Sequence, residues 1–293
     1  MIFDQFSDFH VEHHLPYNDH PDWKEGDPYL YPWHTEKQSD ILILNGDCSN
    51  SVRNTETVLL EAATYYEHVL FTDGNHEHWC GITDRSKFNV ANNIQAFKKF
   101  SKTHDNIHYL DGNTEFISGD TLFIGACGWY DFNMVEGYTF SSQLANWKKT
   151  HPDYSESAFG KKTMPQHLAY KQASELSRQV LAAQDNADIK NIVVATHMVP
   201  HEKGLIQNRS HPWYHMNGAF GNSLLRWVWE ADFKHKISTW VFGHTHFTYD
   251  FMEHGIRFVC NPRGYGGEQW KNSQRHILQI DTDDLAESAF GDI

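Results

Sequence analysis

Five short segments of the chain carry residue types that hold metal ions. They are Asp8-x-His10, Gly46-Asp47, Gly74-Asn75-His76-Glu77, His197 and Gly243-His244-Thr245-His246. The donors they offer are carboxylates, several imidazoles and one amide oxygen, with no thiolate. Such a mixed oxygen and nitrogen set suits manganese, iron, zinc or a similar divalent ion better than cysteine-rich structural zinc. In extended chain, residues i and i+2 point to the same side. Asp8 with His10, and His244 with His246, are therefore expected to project two ligands in one direction each. The glycines before Asp47, Asn75 and His244 permit tight turns where the backbone passes close to an ion or a phosphate.

These segments lie far apart in the chain, so a fold must gather them. Apolar runs at 41–44, 69–71, 192–195 and 240–242 each stop just before one of the segments, and further runs lie at 122–124, 257–259 and 277–280. All read as short buried strands. Helix-like apolar spacing covers about 53–68, 91–103, 166–184 and 221–230. Alternation of strand and helix implies βαβ units with largely parallel sheets. In such sheets ligands bind at the carboxyl ends of the strands, where all five segments would converge. Two stretches break the alternation: 11–39 reads as a long loop insertion and 128–165 as an irregular or helical cap. Both are expected to form lid or binding elements within a single domain spanning 1–293.

Composition narrows the function classes. Forty per cent hydrophobic residues excludes a disordered chain, and Lys+Arg 24 against Asp+Glu 38 gives a net charge of −14. That balance speaks against duplex nucleic acid and anionic membrane as partners. The start of the chain has no signal-like pattern, and no apolar run reaches membrane-spanning length, so a cytoplasmic location is expected. Cys48, Cys80, Cys127 and Cys260 stand singly and are expected to be free, buried thiols, Cys48 included despite following Asp47. The 21 histidines are a conspicuous surplus.

The ordered set D-x-H, G-D, G-N-H-E, H and G-H-T-H resembles the calcineurin-like metallophosphoesterases. The segment N-P-R-G-Y-G-G-E at 261–268 is similar to a tail of their bacterial members. The resemblance implies a four-layer αββα sandwich of two mixed β-sheets with outer helices. It also implies a binuclear centre of two divalent ions, manganese foremost, with iron, zinc, nickel or magnesium as alternatives. By the resemblance Asp8, His10 and His246 would hold one ion, Asn75, His197 and His244 the other, and Asp47 would bridge them. The reaction implied is hydrolysis of a small phosphodiester or phosphomonoester by in-line attack of a metal-bound hydroxide. His76 would face the leaving oxygen as a proton donor, its ordinary pKa near 6.5 suiting that task. Glu77 is expected to be structural. Arg263, His201 and His211 are candidates for substrate contact. Trp79, Trp129, Tyr130, Trp213, Tyr214 and Tyr265 are candidates either for stacking on substrate or for the core. The remaining histidines, among them His13, His34, His78, His104, His108, His151, His167 and His215, are expected to be solvated or structural. The competing readings are a nuclease for short or single-stranded substrates and a non-catalytic scaffold of the same fold.

Overall fold

The computed structural model describes residues 1–14, 31–79, 90–135, 137–156, 164–265 and 276–284. The strands are β1 (Ile2–Phe6), β2 (Ile41–Asn45), β3 (His68–Thr72), β4 (Ile107–Tyr109), β5 (Glu115–Ser118), β6 (Thr121–Ala126), β7 (Asn191–Thr196), β8 (Ile237–Phe242), β9 (Tyr249–Glu253), β10 (Ile256–Cys260) and β11 (Leu278–Asp281). The helices are α1 (Val11–His14), α2 (Trp33–Glu36), α3 (Val52–Ala62), α4 (Val90–Ser101), α5 (Phe140–Thr150), α6 (Pro152–Glu156), α7 (Pro165–Gln184) and α8 (Arg226–Glu230).

Alternation along the strands dictates the layers. In β2, Ile41 and Ile43 point one way and Leu42 and Leu44 the other, as the strand period of two requires. Ile41 and Ile43 pack with Phe3, Leu70, Phe123, Val193, Val241 and Val259 between two sheets. Leu42, Leu44, Val69 and Phe71 instead meet Val58 and Leu59 of α3 and Phe97 of α4. On the other outer face Ile124, Val194 and Trp240 meet Leu176 and Val180 of α7 and Val228 of α8. Strands buried on both faces read in sequence as continuous apolar runs, and these do. The result is a helix–sheet–sheet–helix sandwich.

The first sheet has the order β11-β1-β2-β3-β4, the second β5-β6-β7-β8-β10-β9. Pairing is parallel throughout the interior of both sheets, while β11, β5 and β9 join antiparallel at the edges. A parallel bridge between Ser7 and Pro262 ties the carboxyl ends of β1 and β10 together, so both sheets present those ends on the same side. The buried Asn45 amide strengthens this seam, donating to the carbonyls of Thr196 and Val241 at 3.2 Å each.

The expected loop insertion at 11–39 is not loop at its ends. Trp33 of α2 is buried and lies 5.7 Å from Phe9, with Tyr31 stacked on both, so aromatic burial draws this part onto the first sheet. Residues 15–30 lie outside the described residues. Among the described residues of the cap region, α5 and α6 are helical, and Thr139 and Ser142 form a reciprocal capping box at the start of α5. No helix among the described residues is long and apolar enough to cross a membrane.

Candidate metal centre

The loops that leave β1, β2, β3, β7 and β8 place all seven expected donor residues at the carboxyl edge of the sandwich. Their backbone is unusual. Asp8, His10, Asp47, His244 and His246 all have positive φ, between 44° and 78°, and they make up five of the eight such non-glycine residues among those described. Each costs about 1–3 kcal/mol of backbone strain, and such residues cluster where surrounding structure enforces them at functional sites. Asp8 and His10 share one cluster as the i, i+2 spacing suggests, but the expectation is corrected for His244 and His246. His246 turns toward Asp8 and His10, whereas His244 turns toward Asp47 and His197. Close approach rather than turn geometry explains Gly74: a Cβ there would lie 2.1 Å from Asp47 Oδ1.

Two donor clusters result, and the donor atoms of each lie within 4.8 Å of one another. In the first, His10 Nε2 is 3.1 Å from His246 Nε2, and His246 Nε2 is 3.5 Å from Asp8 Oδ1. In the second, His197 Nε2 is 3.3 Å from Asp47 Oδ2, 3.0 Å from Asn75 Oδ1 and 3.2 Å from His244 Nδ1. Asp47 Oδ2 is also 3.8 Å from His10 Nε2, so this one carboxylate stands between the clusters. The second cluster shows how its imidazoles are aimed. His197 Nδ1 donates to the Asn45 carbonyl at 2.7 Å and His244 Nε2 to that of Ala219 at 3.3 Å. Their other ring nitrogens face inward, the arrangement that fixes the tautomer of a metal-binding histidine. Ring nitrogens crowded to about 3 Å, with carboxylates beside them, fit a pair of cations.

No family model matches the chain. An uncharacterized protein of Acanthamoeba polyphaga mimivirus is 24% identical over 285 residues, covering 93% of this chain and 95% of that protein. The crystal structure of a phosphopantetheinyl hydrolase from Mycobacterium tuberculosis superposes with a TM-score of 0.72 at 16% identity, over 99% of this chain and 98% of that one. The chain has the calcineurin-like metallophosphoesterase fold. A dimetal phosphatase from Danio rerio is also similar, with a TM-score of 0.46 and 12% identity over 89% and 86% of the two chains.

In this metallophosphoesterase fold the electrostatics centre on Asp47. Burial alone would raise its carboxyl, but the facing imidazoles of His197 and His76 hold it well below the usual carboxylate range. Burial would likewise lower His197, but Asp47 overrides it and raises the imidazole to about 10. Burial and neighbouring imidazoles push His10 and His244 well down. His76 departs from the expectation of an ordinary imidazole. Burial pushes it down to about 4 against the pull of Asp47 and Asp153, so it is neutral near pH 7. Its Nδ1 lies 2.6 Å from Asn50 Oδ1, and the Tyr265 hydroxyl lies 3.0 Å from its Nε2. Its ring stacks on Trp79 with centroids 3.5 Å apart.

A cavity of about 270 Å³ opens beside these groups. Its walls include Asp47, Asn75, His76, His244 and His246, together with an apolar and aromatic side built from Trp79, Pro152, Trp213, Met216, Phe220 and Tyr265. Trp129 and Tyr130 are fully buried core, and Tyr214 lies elsewhere, along a second surface cleft. The three candidate substrate contacts lie off the described wall of this cavity. His201 packs among Trp229, Phe251 and Phe258, and His211 against Trp213 and Phe247. Arg263 is buried with its guanidinium 4.8 Å above the Phe9 ring. None of the three is among the described residues lining the cavity, though His211 packs on Trp213, which is.

Glu77 is structural: its carboxyl group accepts the backbone N–H groups of Asp47, Cys48, Ser49 and Gly74 at 2.7–3.4 Å and the Thr55 hydroxyl at 3.2 Å. Cys48, Cys127 and Cys260 are free and buried, and burial raises the Cys48 thiol far from thiolate formation. Cys80 lies outside the described residues, as do positions 266–268 of the tail motif. Sequence reasoning missed Asn45, Asn50 and Asp153, and placed His151, which lines the cavity, among the bystanders. No local pattern marks these residues, since their roles arise from contacts between distant segments.

Proposed function

We propose that the protein is a metal-dependent hydrolase of phosphoester bonds in small phosphorylated compounds. The observation that carries this reading is the placement of Asp47 between two donor clusters on the carboxyl edge of both sheets. Asp8, His10 and His246 would hold one divalent ion, Asn75, His197 and His244 the other, and Asp47 would be shared. When bound, the ions supply Lewis acidity for displacement at phosphorus. Manganese is the ion favoured by the mixed oxygen and nitrogen donors.

The chain's own residues do the rest. Neutral His76, stacked on Trp79, donates from Nδ1 to Asn50 Oδ1 and accepts at Nε2 from the Tyr265 hydroxyl, so it would relay a proton from that hydroxyl to the leaving oxygen. The aromatic side of the cavity receives the organic part of the substrate and keeps water from it. A volume of about 270 Å³ suits a small molecule rather than a polymer, which favours this reading over a nuclease. The net charge of −14 does not oppose an anionic substrate, because bound ions dominate the local field.

The test is a panel of chromogenic phosphomonoesters and phosphodiesters, with nucleotides and a phosphopantetheinyl compound, assayed with manganese. The expected result is manganese-dependent turnover of at least one, lost in Asp47→Ala. A manganese-loaded wild-type protein inert on every ester would support the scaffold reading instead.

A further inference from the structure

The side chain of Asp153, on the short helix α6 of the cap, is fully buried and reaches the wall of the metal centre. Its Oδ1 accepts from Asn75 Nδ2 at 2.9 Å and from Trp79 Nε1 at 2.7 Å. Its Oδ2 accepts from the Tyr130 hydroxyl at 2.8 Å, which in turn accepts from Trp147 Nε1 at 2.7 Å. The His151 ring lies beside it, with Nδ1 3.6 Å from Oδ2.

A carboxylate offers acceptors alone, so it selects the amino end of the Asn75 amide. With Nδ2 engaged by Asp153, the amide must turn Oδ1 the other way, where it lies 3.0 Å from His197 Nε2. Without that partner the amide could present either end to the site, and an NH2 group cannot ligate a cation. The same oxygen fixes the indole of Trp79, which stacks on His76.

We propose that Asp153 is a positioning residue through which the cap completes the second ion site, by aiming the Asn75 oxygen inward. The inference rests on the proposed function, in that Asn75 is taken as a ligand. It goes further by making affinity at one of the two sites depend on a residue from outside the five motif segments. Cap docking and binding of the second ion then favour each other reciprocally.

The experiment is a titration of metal-stripped protein with Mn2+, counting bound ions per chain. Wild type is expected to bind two. Asp153→Ala is expected to keep one at wild-type affinity and to bind the other about 10–100-fold more weakly, the usual effect of losing an outer partner of a ligand. Asp153→Asn, which retains an acceptor for Asn75, should restore tight binding of the second ion. Trp79→Phe, which removes one donor to Asp153 and leaves Asn75 held, should leave both affinities unchanged. Two ions at wild-type affinity in Asp153→Ala would overturn the inference and leave the proposed function standing. No Mn2+ bound by wild type would overturn both. Should Asp153→Ala fail to fold, a crystal structure of Mn2+-loaded wild type decides. Asn75 Oδ1 on the ion with Nδ2 on Asp153 upholds the inference, and any other orientation of Asn75 refutes it.

Discussion

His197 and His76 show how burial and one carboxylate, Asp47, set two imidazoles to opposite protonation states. Asp47 lies 3.3 Å from His197 Nε2 and 3.8 Å from His76 Nε2. At His197 its attraction overcomes burial and raises the pKa from 6.5 to about 10, so without metal the ring carries a proton where a cation would sit. The stability contributed by this pairing is complete below about pH 6.5 and is lost as pH rises through about 10. An entering ion must displace that proton, so metal affinity moves the opposite way and tightens with rising pH. Mn2+ titrations at pH 6.5 and 8.5 should show tightening of up to about tenfold per pH unit, with proton release to the buffer. Affinity that falls over this range would contradict the assignment of His197. At His76 burial wins, and the ring is neutral near pH 7, in the state from which the proposed relay from Tyr265 would start. His76→Ala should retain two ions per chain while turnover falls by about 10²–10⁴-fold, the range for a lost proton-transfer partner. Loss of metal in parallel with loss of rate would instead make His76 a ligand.

Among the elements, the loops after β2 and β3 are built as one unit by Glu77. Its carboxyl group collects four backbone N–H groups and a hydroxyl, all buried, and so locks Asp47 against Gly74. Glu77→Ala leaves those donors unpartnered. At about 1–3 kcal/mol for each buried donor, it should lower the unfolding free energy by at least about 3 kcal/mol in urea titration. A change under 1 kcal/mol would show that water replaces the carboxylate. Such ties explain what the sequence does and does not disclose. The runs at 41–44 and 192–195 are legible as strands because both faces are buried. β1 is hidden because the buried polar residues Asp4 and Gln5 interrupt its apolar run, each hydrogen-bonded to a partner far away in sequence. The edge strands β5 and β9 are half exposed, and β4 has three residues, too few for a period to register. At the site, the ligand-type residues and their glycines are legible because their chemistry is written in side-chain type. Asp153 and Asn45 are not, because an aspartate or asparagine that aims another residue looks like any other until the fold brings the two together.

For the whole molecule, the two sheets are what bring the two donor clusters together. The first sheet supplies Asp8, His10, Asp47 and Asn75, and the second supplies His197, His244 and His246, so neither sheet holds a complete set. The packing of Phe3, Ile43, Val193 and Val241 between the sheets sets the spacing of the donors. The polar seam of Asn45, with its bonds to β7 and β8, fixes their register across the gap. An acidic surface is compatible with an anionic substrate where bound ions, rather than basic side chains, would supply the positive charge. The most direct test of this account is the dependence of hydrolysis on metal content. Metal-stripped wild type should be inactive, and activity on a responsive phosphoester should rise with added manganese and saturate at two ions per chain. Asp47→Ala should fail to recover under the same titration. Full activity in the stripped protein, or saturation at a single ion, would contradict a centre shared across the two sheets.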